Sequence, residues 1–365
     1  MTSTERQSLM STLAQAGQPL LELPAAGGGS ALILPYGGRV LGLFTADDAP
    51  NHFWVHPHLM EVTLAQEVFR TRNWINLGGD RTWLGAEQDL NWGDFAARSG
   101  AYLPPQGLDP GEWRLARQGQ VVTMSLQGRV PIKRRRVYAD VVIERAVSMI
   151  PNPLRREATA RELLAGVEYV GYEQETVLSL VSCADKGAQV GIWNLIVLPT
   201  GGWIIVPTLG RPAVRDFFPS TTPGRVQIQE RTIHFLLDGR AQHKIGLRAA
   251  ELIGRAGYLR AEADGRWTLV VRAFGVNPSG DYIDIPPDDE HDLGYAFEAY
   301  NDDGKLGDFG ELEYHAPAIG GDTGLVAARE CSQVWAYRGT EKAIRRVAER
   351  LLGEGTVSGE SYVYR

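Results

Sequence analysis

From Trp113 to Val206 the chain runs through short segments in which apolar and polar residues alternate, at 121–126, 137–147, 168–172, 177–182 and 190–198. A period of two puts successive side chains on opposite faces of an extended chain, and the Val, Ile, Tyr and Trp that fill these segments suit a pleated surface. Turn residues separate the runs, so the stretch predicts a large antiparallel β architecture. The pattern resumes at 231–237, 257–261, 266–274 and 332–337. A hairpin is expected earlier, over 30–44, with Gly37-Gly38 as its turn.

Helical periods are few. Residues 5–16 place Leu9, Leu13 and Ala16 on one side, and 154–165 is the one helix-compatible interruption of the β region. The clearest helix is 339–353, with Thr340 as N-cap, Ala343, Ile344, Val347 and Leu351 as its apolar stripe, and Gly353 after the last turn. The expected organisation is one β domain over 1–365, with 1–29 as an N-terminal helix and linker packed on it.

Thirty-seven Lys and Arg against 44 Asp and Glu leave a net charge of −7, which argues against nucleic acid as a partner. The one dense basic run, Lys133–Arg136, falls among strands and is expected to be a solvated, salt-bridged face. Cys183 and Cys331 lie far apart and imply two buried residues, not a disulfide framework. No apolar run reaches the roughly 18 residues of a membrane span, and the first ten residues lack a secretory pattern, so a cytoplasmic protein is expected. Gly37-Gly38 and Gly78-Gly79 are turn glycines, since neither opens a helix after a strand as a phosphate cradle does.

The densest chemistry is Phe309-Gly-Glu-Leu-Glu-Tyr-His-Ala-Pro317. If extended, it presents Glu311, Glu313 and His315 on one face, with neighbours roughly 6.5–7 Å apart. Two carboxylates and an imidazole so arranged suit proton transfer, with a metal as the alternative. Between 51 and 92 the chain is rich in Trp, His, carboxylate and glycine, including Trp54, His56, His58, Asp80, Arg81, Trp83 and Glu87. That composition reads as a site-bearing loop, and aromatic rings beside planar polar groups are what a sugar site uses. The proline-bearing loop 208–224 can overhang such a site, and Lys244, beside Ile-Gly-Leu, can serve as an electrostatic anchor. The acidic stretch 281–292 lacks the regular spacing of a calcium-binding EF-hand.

The Gly-Gly-Arg hairpin, the segment Asn76-Leu-Gly-Gly-Asp-Arg-Thr-Trp-Leu-Gly-Ala-Glu87, Lys244-Ile-Gly246, the late Glu-x-Glu strand and the terminal Gly-Thr-Glu helix together resemble the galactose mutarotase-like superfamily, in its bacterial branches. The likeness spans roughly 30–353. It implies a β-supersandwich of two large antiparallel sheets with a cleft for a small carbohydrate, and no cofactor or metal. In the aldose 1-epimerases of this superfamily a Glu base takes the anomeric hydroxyl proton and a His acid protonates the ring oxygen. By resemblance, Glu311 or Glu313 is the base, and the acid is open among His56, His58, His234 and His243. The expected catalytic set is then Glu311, Glu313, His315 and His243. Asp80 and Arg81 would orient hydroxyls, Trp83 or Trp54 would stack on the ring, and Glu87, Lys244 and Trp193 would complete the binding surface. Two alternatives share these residues. One is a lyase or hydrolase on an acidic or oxidised sugar, whose charge Arg81 and Lys244 would neutralise. The other is a carbohydrate-binding protein without turnover. Oligomeric state is left open.

Overall fold

A computed structural model describes residues 4–357, apart from 72–73, 95–98, 219–222, 287–288 and 290. The alternating segments assemble into two ten-stranded sheets, and every strand pairing in them is antiparallel. In the first sheet Asp80–Gly85, Gln189–Pro199, Phe309–His315, Phe297–Asn301 and His243–Leu247 lie side by side in that order. The opening hairpin, Ser30–Leu34 and Arg39–Phe44, flanks Asp80–Gly85. The second sheet carries the long strands Val121–Ile132, Val137–Met149, Glu168–Cys183 and Ala327–Gly339, with Trp267–Phe274 beside the last.

One hydrophobic cluster joins the facing sides of the sheets. Val40, Ile196, Leu312 and Tyr314 of the first meet Val122, Val147, Tyr172 and Val270 of the second. Helices cover parts of the outer sides. Glu341–Leu352 lays Ile344, Val347 and Leu351 on Trp203, Leu259 and Trp335 of the second sheet, with Thr340 Oγ1 accepting the Ala343 N–H at 3.4 Å. Glu5–Gln15 and Val62–Arg70 pack Leu9, Leu13, Ala65 and Val68 against Leu32, Leu34 and Leu41 of the first. No helix among the described residues is long and apolar enough to cross a membrane.

Several expectations need correction. The stretch 76–92 is no loop: Asp80–Gly85 is a fully buried strand inside the first sheet, followed by the short helix Glu87–Asn91. Its polar residues hide a strand because both faces of that sheet are covered there, so no simple inside-outside alternation shows. Residues 154–165 form only the turn Pro153–Arg156 and the single-turn helix Ala160–Leu163, and the helix Val62–Arg70, capped by Glu61, went unforeseen. Lys133–Arg136, by contrast, is partly solvated and salt-bridged as expected: it is the hairpin connection between two long strands, where Lys133 Nζ donates to the Leu90 and Trp92 carbonyls and Arg134 pairs with Asp89 at 2.6 Å. Cys331 is exposed and Cys183 half-buried.

Candidate functional site

Alternation along the central strands of the first sheet decides which side chains face away from the second sheet. Arg81 and Trp83 do so from Asp80–Gly85, Trp193 from its neighbour, Glu311, Glu313 and His315 from Phe309–His315, and Glu298 and Tyr300 from Phe297–Asn301. Register brings them together: Trp193 lies opposite both Trp83 and His315, Glu313 opposite Glu298, and Tyr300 opposite both Glu311 and Lys244. Above them lies a cavity of about 250 Å³. Arg81, Glu87, Lys244, Asp284, Glu311 and Glu313 provide its charged lining. Trp74, Trp92, Tyr102, Phe217, Tyr300 and Phe309 are among its aromatic walls, Phe217 coming from the proline-bearing loop.

The polar groups are tied to one another. Arg81 Nη2 donates to Glu311 Oε1 at 2.7 Å and Nη1 to Asn76 Oδ1 at 3.0 Å, with the guanidinium 4.1 Å from the centre of the Trp83 ring. Lys244 Nζ lies 2.8 Å from Glu87, 2.7 Å from Glu298 and 3.3 Å from Glu313. Trp193 donates its indole N–H to Glu313 Oε2 at 2.9 Å and stacks on His315, whose Nε2 is 3.2 Å from Glu298. One further carboxylate braces the aromatic wall: Asp109 accepts from the indoles of Trp83 and Trp74 at 3.0 and 3.3 Å and from Arg39 at 2.9 and 3.0 Å.

Burial drives the protonation of these groups. It pushes Glu313 and Glu298 well above the ordinary carboxylate range, with Lys244 pulling only partly the other way. Burial also works against the Lys244 ammonium, but Glu298, Glu313 and Glu87 outweigh it and hold its pKa well above the usual value. His315 is pushed down by burial and is neutral at neutral pH. Asp284, Glu298 and His315 could each offer a ligand atom to a metal, these atoms lying within 4.8 Å of one another. Lys244, however, already places a cation 2.7 Å from Glu298.

Arg81, Trp83, Glu87, Lys244, Glu311 and Glu313 thus meet around one cavity. Trp193 and His315 stand just behind its lining, and Trp54 supports it at one remove, its ring 4.9 Å from that of Phe309. Two expected residues lie elsewhere. Asp80, adjacent to Arg81, points into the space between the sheets, bonded to Arg272 at 3.0 Å and to Tyr172. His243, adjacent to Lys244, likewise points the opposite way, its ring 5.1 Å from that of Phe235 and its Nε2 3.3 Å from Asp216. In both cases the reason is the pleat, which sends sequence neighbours to opposite faces. His234 is bonded to the Thr356 carbonyl at 2.8 Å, and His56 and His58 meet edge to face beside Trp54. Sequence reasoning missed Glu298, Asp284, Asn76 and most of the aromatic wall. Glu298 and Tyr300 repeat the two-residue spacing of Glu311 and Glu313, a signal that could have found them. A larger depression, about 740 Å³, involves Arg134 and Arg248, but these pair with Asp89 and Asp292 at 2.6 and 3.1 Å.

The architecture has a counterpart among solved structures. The chain is similar, at 9% identity and a TM-score of 0.50, to a protein of Escherichia coli K12 assigned provisionally as an aldose 1-epimerase, over 89% of this chain and 100% of that one. It also matches a GalM/aldose epimerase homologue from C. elegans, at 10% identity, TM-score 0.45, 89% of this chain and 100% of that one. A third match is galactose 1-epimerase from Lactobacillus acidophilus NCFM, at 8% identity, TM-score 0.40, 88% of this chain and 95% of that one. At such identities the first likeness shows the fold alone, a mutarotase-like sandwich. No curated protein sequence matches the chain. A family model does match, across residues 8–357, and the chain belongs to that family, described as a family of unknown function (DUF6786).

Proposed function

We propose that the chain is an enzyme that moves protons at a carbohydrate ring, most simply an isomerase of the aldose 1-epimerase kind. The observation that carries this reading is the pair Glu311 and Glu313, two residues apart on one strand face, in unlike surroundings within an aromatic-walled cavity. Glu311 is ion-paired with Arg81, whereas burial pushes the Glu313 carboxyl well above the ordinary carboxylate range. Environments that push two carboxyl groups apart mark one as base and the other as acid. In this reading Glu311 takes the proton of the anomeric hydroxyl, the O1 electrons form the C1 carbonyl, and the C1–O5 bond breaks. Glu313 gives its proton to O5, the C1–C2 bond rotates, and the reverse steps close the ring with the other anomer. Trp193 and Lys244 act by holding Glu313, and the aromatic rings supply stacking faces for the sugar C–H bonds. The cavity, slightly below the roughly 300 Å³ where drug-sized pockets begin, suits a single ring.

The reading of an acidic-sugar lyase or hydrolase loses support, because both cations that would receive a substrate carboxylate are committed to protein carboxylates. Anomer interconversion followed by NMR exchange or polarimetry across a panel of free sugars tests the proposal. Glu311→Gln and Glu313→Gln are each expected to lower kcat by about 10²–10⁴-fold. Variants as fast as the parent, or a parent no faster than buffer on every sugar, would sink it.

A further inference from the structure

The charge of the cavity bears on which sugar it takes, an inference that rests on the proposed function above. Two cations, Arg81 and Lys244, line it with four carboxylates, Glu87, Asp284, Glu311 and Glu313, and Glu298 lies against Lys244 beneath. An ammonium has three N–H donors, and those of Lys244 have Glu87, Glu298 and Glu313 around them. Arg81 gives its Nη groups to Glu311 and Asn76 and lies on the Trp83 face, while its Nε is buried without a partner. Burial favours the neutral forms of Glu298 and Glu313. Even then three carboxylates, Glu87, Asp284 and Glu311, stand against two cations, so one negative charge lacks a partner.

The unused acceptors point the same way. Glu313 is 1% exposed, and Trp193 and Lys244 both donate to its Oε2, which leaves Oε1 free to carry a proton. Glu311 uses only Oε1, and the fully buried Glu298 Oε1 has no partner. A buried carboxylate oxygen without a donor is costly and is normally satisfied by a partner. The cavity is also lined by the rings of Trp74, Trp92, Tyr102, Tyr300 and Phe309, and aromatic faces attract a cation within about 6 Å.

We infer that the cavity selects a cationic sugar, an amino sugar whose ammonium is received by the Glu311 and Asp284 carboxylates and the surrounding rings. The amine supplies the missing positive charge and donates to the idle Glu311 oxygen. A uronic acid brings a second uncompensated negative charge, and N-acetylation removes the charge that is recognised.

Isothermal titration of the full chain at about pH 6, below the roughly 7.7 of an α-amine, tests this. The probes are glucosamine, galactosamine and mannosamine, their N-acetyl forms, the parent hexoses and the matching uronic acids. At least one amine is expected to bind tenfold or more tighter than its N-acetyl and neutral counterparts. Asp284→Asn, which keeps an oxygen for the Glu87 N–H, is expected to shrink that preference several-fold. A parent that binds neutral or N-acetylated sugars as tightly as amines, or prefers uronic acids, overturns the inference. If it also interconverts the neutral anomers, the proposed function survives that outcome. If no sugar of any class binds, both fall together.

Discussion

Glu330 illustrates how burial alone sets a carboxyl group. It lies between the sheets, its Oε2 3.4 Å from Asn194 Nδ2, and burial pushes its pKa up to about 7, with the Tyr314 hydroxyl opposing. The folded chain therefore holds a proton that the unfolded chain, at the ordinary 4.5, releases. By linkage the contribution to stability is greatest below about pH 4.5, falls as pH rises, and is gone above about 7. Glu330→Gln is expected to flatten that part of the stability profile and raise stability at pH 8, by up to roughly 3 kcal/mol. Urea unfolding at half-unit steps from pH 4.5 to 8 checks it, and an unchanged slope would refute it. Glu313 is raised for the same first cause, but it faces a cavity, and there the retained proton is available to a substrate. The pKa direction alone does not separate the two, whereas position does.

The aromatic wall depends on a connection that carries none of the proposed chemistry. Asp109 sits in the segment after Tyr102 and gathers Arg39 from the opening hairpin, Trp83 from the strand Asp80–Gly85 and Trp74 from the chain before it. The Arg39 guanidinium is 1% exposed, so removing its carboxylate leaves an unpaired buried charge. Asp109→Ala is expected to cost about 3–5 kcal/mol in chemical denaturation. It should also weaken sugar binding at a temperature where the variant is folded, since two wall residues lose their anchor. A variant with parental stability would show that water replaces the carboxylate.

The two sheets are held by more than apolar contact. Asp80 of the first sheet meets Arg272 at 3.0 Å, Arg145 at 3.6 Å and Tyr172, all from the second and all fully buried. This cluster clamps the sandwich directly behind the strand that carries Arg81. Asp80→Asn is therefore expected to lower stability by about 3–5 kcal/mol, because two guanidinium groups lose their shared counter-charge. In the folded fraction KM for the cavity's substrate should stay within about twofold, since Asp80 does not line the cavity. A large KM change with unaltered stability would instead place Asp80 in substrate binding, as its neighbours Arg81 and Trp83 first suggest.

The period-two runs were sufficient to establish antiparallel sheets, because a half-buried strand must alternate to cover its core with apolar side chains. The same rule placed Glu311, Glu313 and His315 on one face, and the 3.6-residue stripe of Ala343, Ile344, Val347 and Leu351 identified the terminal helix. These signals are local, each contained within about a dozen residues. Where both faces of a strand are covered, as in Asp80–Gly85, the alternation vanished and the strand read as a loop. Only tertiary structure decided the partners: Glu298 beside Glu313, Lys244 among three carboxylates 69 residues or fewer from Glu313 and Glu298 but 157 from Glu87, and Asp80 and His243 turned away from the cavity. Strand order and register are set by packing between segments distant in sequence. The burial that raises a carboxyl group's pKa belongs to that packing, so no single stretch of the chain carries it.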